Sequence, residues 1–124
     1  MKMKKNTKRK FSETFLDFSS PLLDAIGDGA TKQQIENVLK ITYSVWNAVI
    51  LDTVKGSSDY ISMLKQTMEN NPMGLKFIEE LISRKKNQFG NDFRLIDEYS
   101  IKNVKGEWRL RVEARDSSIE GVKP

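Results

Sequence analysis

The feature that most constrains the fold of this chain is a change of hydrophobic period at Gly90. Before Gly90, apolar residues recur at helical spacing, which is typical of helices that bury one face. After Gly90, apolar and polar residues alternate over 93–101 and 108–114, which is typical of half-buried strands. We therefore expect an α+β fold: an N-terminal bundle of four to five helices followed by a C-terminal antiparallel β-hairpin packed on it.

The length of 124 residues favours a single domain. We expect a disordered basic arm at 1–10, one α+β domain at 11–115 and a flexible tail at 116–124. Within the domain, helices are predicted over 11–89 and the hairpin over 92–115.

The first helical segment leaves two alternatives open. Ser12 is a plausible N-cap, and Ser20 followed by Pro21 has the pattern of a second cap with proline at the first helical position. The segment is therefore either two short helices or one helix kinked at Pro21. Gly27 suits its C-terminal end.

The second helix has the clearest signals in the chain. Thr31 and Gln34 have the spacing of a capping box, and Gly56 ends the pattern. Apolar residues lie on almost two sides of this helix, so we expect it at the centre of the domain with neighbours on both flanks. Its main stripe consists of Ile35, Val38, Leu39, Thr42, Trp46, Val49 and Ile50.

Two further helices are predicted before the hairpin. The third is short and begins near Tyr60, and Asn71 followed by Pro72 caps the fourth. Glu80 and Arg84 are one turn apart on the polar side of the fourth helix and are expected to pair. Its last turns contain Arg84, Lys85 and Lys86, cations that complement the helix dipole.

Charge pairs favour a four-residue hairpin loop at 103–106. This loop places Glu98 opposite Arg111, an attractive cross-strand pair. The tighter loop of Lys105 and Gly106 alone sets Glu98 against Glu113 and Lys102 against Arg109, and like charges directly opposite are destabilising.

One face of the hairpin is apolar and must be covered, because an isolated hairpin is marginally stable in water. Its residues are Tyr99, Ile101, Trp108, Leu110 and Val112. Asp97 is the only charge on this face, and a β-bulge at Ile96 and Asp97 would turn its carboxylate outward. The helices are the expected cover, and the edges of the hairpin remain available to a further strand.

Basic residues are concentrated at the start of the chain. The net charge is +4, yet the first ten residues hold six of the 21 basic residues and no acid, so the rest of the chain is slightly acidic. The arm is a candidate tether to nucleic acid or an acidic partner, without sequence specificity because no aromatic residue lies among its charges. Its residues are Lys2, Lys4, Lys5, Lys8, Arg9 and Lys10. A second, weaker candidate is the polar hairpin surface with Arg94, Arg109 and Arg111.

The absence of cysteine and histidine removes thiol and histidine catalysis and most transition-metal sites. We identify no catalytic, cofactor-binding or metal-binding residues. No membrane partner is expected, since the most apolar window, 41–51, is too short to span a bilayer and the first ten residues lack the apolar stretch of a signal peptide. A cytoplasmic location is expected.

These observations predict a non-catalytic protein-interaction module, with self-association through the hairpin edge as one form of it. The alternative is a nucleic-acid-associated protein that uses the basic arm. An enzyme based on carboxylate, lysine or tyrosine chemistry is the third hypothesis.

Overall fold

A computed structural model describes residues 10–116. Four helices precede a two-stranded antiparallel sheet, in the α+β order that the period change predicts. The elements are α1 (Phe11–Ile26), α2 (Lys32–Lys55), α3 (Asp59–Thr67), α4 (Pro72–Gln88), β1 (Arg94–Val104) and β2 (Glu107–Asp116).

The first segment is one continuous helix that passes through Pro21. Proline has no amide hydrogen, so the carbonyl of Asp17 loses its donor in the next turn. Arg84 of α4 donates to this carbonyl at 2.7 Å and to the Phe18 carbonyl at 3.2 Å, and Ser20 donates to the Asp17 carbonyl at 2.9 Å. The alternative of two short helices is therefore wrong.

Two further expectations about these helices are also wrong. Ser12 lies inside α1, which has Lys10 at its N-cap position and no capping hydrogen bond from a side chain. Arg84 does not pair with Glu80 on a solvated face, because its guanidinium reaches across to α1, where it also lies 3.4 Å from the Asp17 carboxylate.

Helix α2 is the centre of the domain, as its two apolar sides predict. It contacts α1, α3, α4 and β1. The capping box is present: the Thr31 hydroxyl accepts from the Gln34 amide at 3.1 Å, and the Gln34 side chain accepts from the Thr31 amide at 2.8 Å. The helix ends at Gly56, whose φ of 68° lies in the left-handed region that glycine adopts without strain.

An aromatic cluster around Trp46 forms the middle of the core. The Trp46 side chain is fully buried, and its ring meets those of Phe11, Phe18 and Phe89 edge to face, with centroids 5.1–5.8 Å apart. Edge-to-face contacts place the positive edge of one ring on the negative face of another. Residues from α1, α2 and the end of α4 are thereby held together.

The buried carboxylate of Asp52 organises the connection between α2 and α3. It accepts from the backbone amides of Tyr60 and Ile61 at 3.0 and 2.9 Å and from the Ser57 hydroxyl at 3.1 Å. These amides belong to the first turn of α3 and have no acceptor within the helix. Asp52, a residue of α2, therefore caps the N-terminus of α3. At the start of α4, the predicted cap is present: the Asn71 side chain accepts from the Gly74 amide at 3.0 Å.

The register of the hairpin differs from the prediction. Val104 pairs with Glu107, so the loop has two residues, Lys105 and Gly106, rather than four. Their φ angles of 54° and 84° are both positive, as in a type I′ turn, whose twist matches that of the strands. The like-charge pairs that argued against this loop are present, Glu98 opposite Glu113 and Lys102 opposite Arg109.

The predicted bulge is present between Ile96 and Glu98. Ile96 is buried at 3% exposure, and Asp97 is exposed and accepts a hydrogen bond from the Arg115 guanidinium at 2.7 Å. The extra residue turns Ile96 and Arg94 toward the helices, opposite to the side that simple alternation assigns them, while Leu95 between them is also buried at 5% exposure.

Candidate interaction surface

The two outer edges of the hairpin are not equivalent. On β1, the Asn47 side chain from α2 binds both backbone groups of Ile96: its amide nitrogen donates to the carbonyl at 2.9 Å, and its oxygen accepts from the amide at 2.8 Å. The Trp46 indole donates to the Arg94 carbonyl at 2.6 Å. Side chains of α2 therefore occupy the first part of this edge, where a further strand would otherwise bind.

The outer edge of β2 has no such cover. Because Val104 and Glu107 close the turn as a hydrogen-bonded pair, strand alternation directs the backbone groups of Trp108, Leu110 and Val112 away from β1. Within residues 10–116, no other element donates to or accepts from these groups. This open row of donors and acceptors is what an added strand requires.

The solvent face of β2 carries charges of both signs. Arg109 bonds Glu107 at 3.1 Å, and Arg111 bonds Glu113 at 3.1 Å, each pair lying along the same strand. All four side chains are exposed, so each pair contributes little to stability. The same-strand partners also reduce the repulsion between the like charges that face each other across the hairpin.

Arg94 does not belong to this charged surface, contrary to the prediction. The bulge turns it toward the helices, where its guanidinium lies over the Phe11 ring at 4.6 Å and pairs with the Asp92 carboxylate. Burial opposes ionisation of Asp92, but the hydrogen bonds and charge of Arg94, with the charge of Lys85, lower the Asp92 pKa below its usual value.

The helices cover most of the apolar hairpin face. Ile101 is buried, and Tyr99, Leu110 and Val112 are half-buried against the core. Trp108, nearest the turn, is the exception at 36% exposure. Its ring borders a half-open pocket of about 280 Å³ between the hairpin tip and the C-terminal half of α1. The pocket lining includes Leu16, Leu23, Ile35, Ile101 and Leu110.

Of the predicted basic arm, only Lys10 lies within the described residues. It is exposed, and its carbonyl accepts from the amides of Glu13 and Thr14 at 3.0 and 3.2 Å. The other arm residues, Lys2, Lys4, Lys5, Lys8 and Arg9, lie outside the described part of the chain, as does most of the predicted tail.

Lys85 is almost completely buried, which its place in the last turns of α4 did not predict. Its ammonium donates to the carbonyls of Phe89 and Asp92 at 2.7 and 2.8 Å and lies 4.2 Å from the centre of the Trp46 ring. Burial lowers the pKa of Lys85 to about 8, against the opposing influence of the Asp92 carboxylate. It thus binds the chain that leaves α4 and enters β1.

Sequence reasoning placed Trp46 in the core stripe but gave no role to Asn47. The available signal was an amide side chain inside the most apolar window of the chain, next to a tryptophan. A buried polar group needs hydrogen-bond partners, and here the partners are a strand edge.

Between residues 10 and 116, no group of three or more acidic side chains is arranged to hold a metal ion, and no helix there is long and apolar enough to cross a bilayer. Comparison with protein-family models, curated proteins and solved structures gives no match to this chain.

Proposed function

We propose that this chain is a non-catalytic protein-interaction module that receives an extended segment of a partner on the outer edge of β2. The observation that carries the proposal is a difference between the two edges. The side chains of Asn47 and Trp46 bind backbone groups at the start of the β1 edge, whereas within residues 10–116 the outward backbone groups of Trp108, Leu110 and Val112 make no hydrogen bond to another element. Strand addition uses such groups as its main source of affinity.

The side chains along this edge supply a place for selectivity. On one face, a partner would meet the exposed Trp108 and the apolar pocket beside it. On the other face, it would meet two central arginines between two glutamates: Glu107, Arg109, Arg111 and Glu113. An amphipathic strand with apolar residues on one side and charges on the other fits both faces.

The test compares Val112→Pro with Val112→Ala in cells that express the protein. The Val112 amide points outward, so proline removes an edge donor without removing a hydrogen bond of the hairpin itself. Alanine keeps the backbone donor while it removes the valine side chain beyond Cβ, so it controls for loss of the valine side chain at this position.

Binding is read by a photo-crosslinking amino acid at position 111, with position 76 on the exposed side of α4 as the control site. A crosslinked protein product is expected from position 111 in the Val112→Ala background and not in the Val112→Pro background. Circular dichroism of both purified variants checks that the fold is retained. No product at position 111, or a product equally strong in both folded variants, would overturn the proposal.

A further inference from the structure

We infer that the strand received by the β2 edge is β2 of a second copy, paired antiparallel about a two-fold axis at Arg111. This inference rests on the proposed function and specifies its partner. The assembly would be a continuous four-stranded sheet with the order β1, β2, partner β2, partner β1. Both copies would present their apolar faces to the same side.

The argument begins with two unfavourable pairs inside the hairpin. Lys102 faces Arg109, and Glu98 faces Glu113, on the solvent side. Like charges directly opposite each other destabilise a hairpin. The cross-strand contacts of a single copy therefore give no reason for these charges. A strand of complementary charge order next to β2 would give Arg109 and Glu113 an opposite charge on their other side and so offset the repulsion.

When two β2 strands pair antiparallel about Arg111, charges of one copy meet opposite charges of the other. Pairing about Arg111 sets Arg109 opposite Glu113 of the second copy and Glu107 opposite Arg115 of the second copy, and symmetry repeats both contacts. The one like-charge contact is Arg111 with its own copy, on the axis. Each copy holds its Arg111 near its Glu113, at 3.1 Å, which offsets that repulsion.

Neighbouring registers lack this complementarity. A two-fold axis at Leu110 sets Arg109 against Arg111 and Glu107 against Glu113, so every charged contact is repulsive. An axis at Val112 sets Arg111 opposite Glu113, which is attractive, but sets Arg109 against Arg115, so attractive and repulsive contacts oppose each other. A shift of one strand by one residue places outward-facing backbone groups of one copy against inward-facing groups of the other. It also brings the apolar side chains of one copy next to the charged side chains of the other.

The apolar side fits the same register. Leu110 lies opposite Val112 of the second copy, and Trp108 lies opposite Ala114 of the second copy. The small alanine leaves space for the indole, which is 36% exposed in the single copy. Self-pairing therefore covers the large apolar side chain that the helices leave partly uncovered.

The experiment is a charge exchange read by sedimentation equilibrium and light scattering over a dilution series. Wild-type protein is expected to dimerise. Arg109→Glu and Glu113→Arg each replace two attractive contacts between copies by repulsive ones and should weaken the dimer about tenfold. The double variant Arg109→Glu/Glu113→Arg restores opposite charges across the axis and should recover wild-type affinity within about threefold.

The single variants should weaken the dimer without lowering the stability of one copy. This combination distinguishes loss of the interface from a general loss of folding. Each single variant replaces a like-charge pair across the hairpin by an attractive one, and the same-strand ion pair that it removes is exposed and contributes little, so the unfolding midpoint of the diluted protein should not fall. Lys102→Glu is the control: it relieves the same repulsion from the β1 side and should leave dimerisation intact. Fluorescence adds a site-specific signal, because Trp46 is already fully buried and a change on dimerisation reports Trp108.

A wild-type protein that stays monomeric at ~1 mM, or a double variant that dimerises no better than the single ones, would overturn the self-pairing. The proposed function is tested separately from the self-pairing. If position 111 crosslinks only to a different protein in a manner that depends on the Val112 amide, the interaction edge stands and the second copy is wrong.

Discussion

The guanidinium of Arg84 donates to the carbonyl oxygen of Asp17 at 2.7 Å, across the interface between α4 and α1. That carbonyl is available because Pro21, four residues later in α1, has no amide hydrogen to donate to it. An arginine from one helix thus supplies the hydrogen bond that a proline removes from another.

Replacing Arg84 by alanine should lower the free energy of unfolding by about 2 kcal/mol, because the carbonyls lose a charged donor. In a Pro21→Ala background the helix regains its own amide, and the loss should fall to about 1 kcal/mol. Urea unfolding of the four proteins in this cycle measures the coupling. Lys86→Ala, an exposed change on the same helix, is the control, and strictly additive effects would contradict the compensation.

Replacing Asn47 by alanine should lower the free energy of unfolding by about 2 kcal/mol, because both backbone groups of Ile96 lose their partners. Hydrogen exchange at the Ile96 amide should quicken more than exchange at amides in the hairpin ladder. Ser44→Ala removes a hydroxyl that bonds only within α2 and should change neither quantity much. Unchanged protection at Ile96 would show that Asn47 does not hold this edge.

The turn offers a stabilising substitution. Lys105 has a φ of 54°, a conformation that asparagine adopts at less cost than lysine, so Lys105→Asn should raise stability by about 0.5 kcal/mol. Gly106 has a φ of 84°, and Gly106→Ala should lower stability by about 1 kcal/mol. Thermal unfolding measures both. If Lys105→Asn is destabilising, the two-residue turn is the wrong geometry.

Stability should depend on pH through Lys85. Burial lowers its pKa to about 8 in the folded protein, below the usual lysine value of 10.5. Between these values the unfolded chain binds more protons than the folded one, so the free energy of unfolding contributed by Lys85 rises with pH in this window. Below pH 8 both states are protonated and the contribution is constant.

The measurement is urea unfolding from pH 7 to 10 for wild-type protein and Lys85→Met. The unfolding free energy of wild-type protein minus that of Lys85→Met should rise toward pH 10, with a slope of at most about 1.4 kcal/mol per pH unit. The comparison removes the titration of the other groups, including Tyr99, whose pKa burial raises. A difference that stays constant with pH would mean that Lys85 titrates normally.

Hairpin register shows where sequence reasoning reached its limit. The strands, their apolar face and the bulge at Asp97 follow from alternation, which is a local property. The loop length was judged from exposed charge pairs, and each of these is worth less than about 1 kcal/mol. The type I′ turn, with strands twisted to match, outweighs them, and Arg109 and Glu113 find partners along their own strand.

The sequence pattern also assigns Arg94 to the wrong face of the hairpin. Simple alternation along β1 assigns Arg94 to the solvent face, whereas the bulge between Ile96 and Glu98 turns it toward the helices. The sequence pattern of α4 predicts that Arg84 pairs with Glu80 on the polar side and that Lys85 complements the helix dipole. Their partners lie on other elements, which no pattern within α4 shows.

The sequence by itself determined that helices precede a hairpin, that a capping box lies at Thr31 and that α2 has the central position. These follow from periodicity and caps, whose interactions join residues only a few positions apart. Only the tertiary structure decided which hairpin edge is available. That choice depends on contacts such as Asn47 with Ile96, 49 residues apart, and folding alone brings such groups within hydrogen-bond distance.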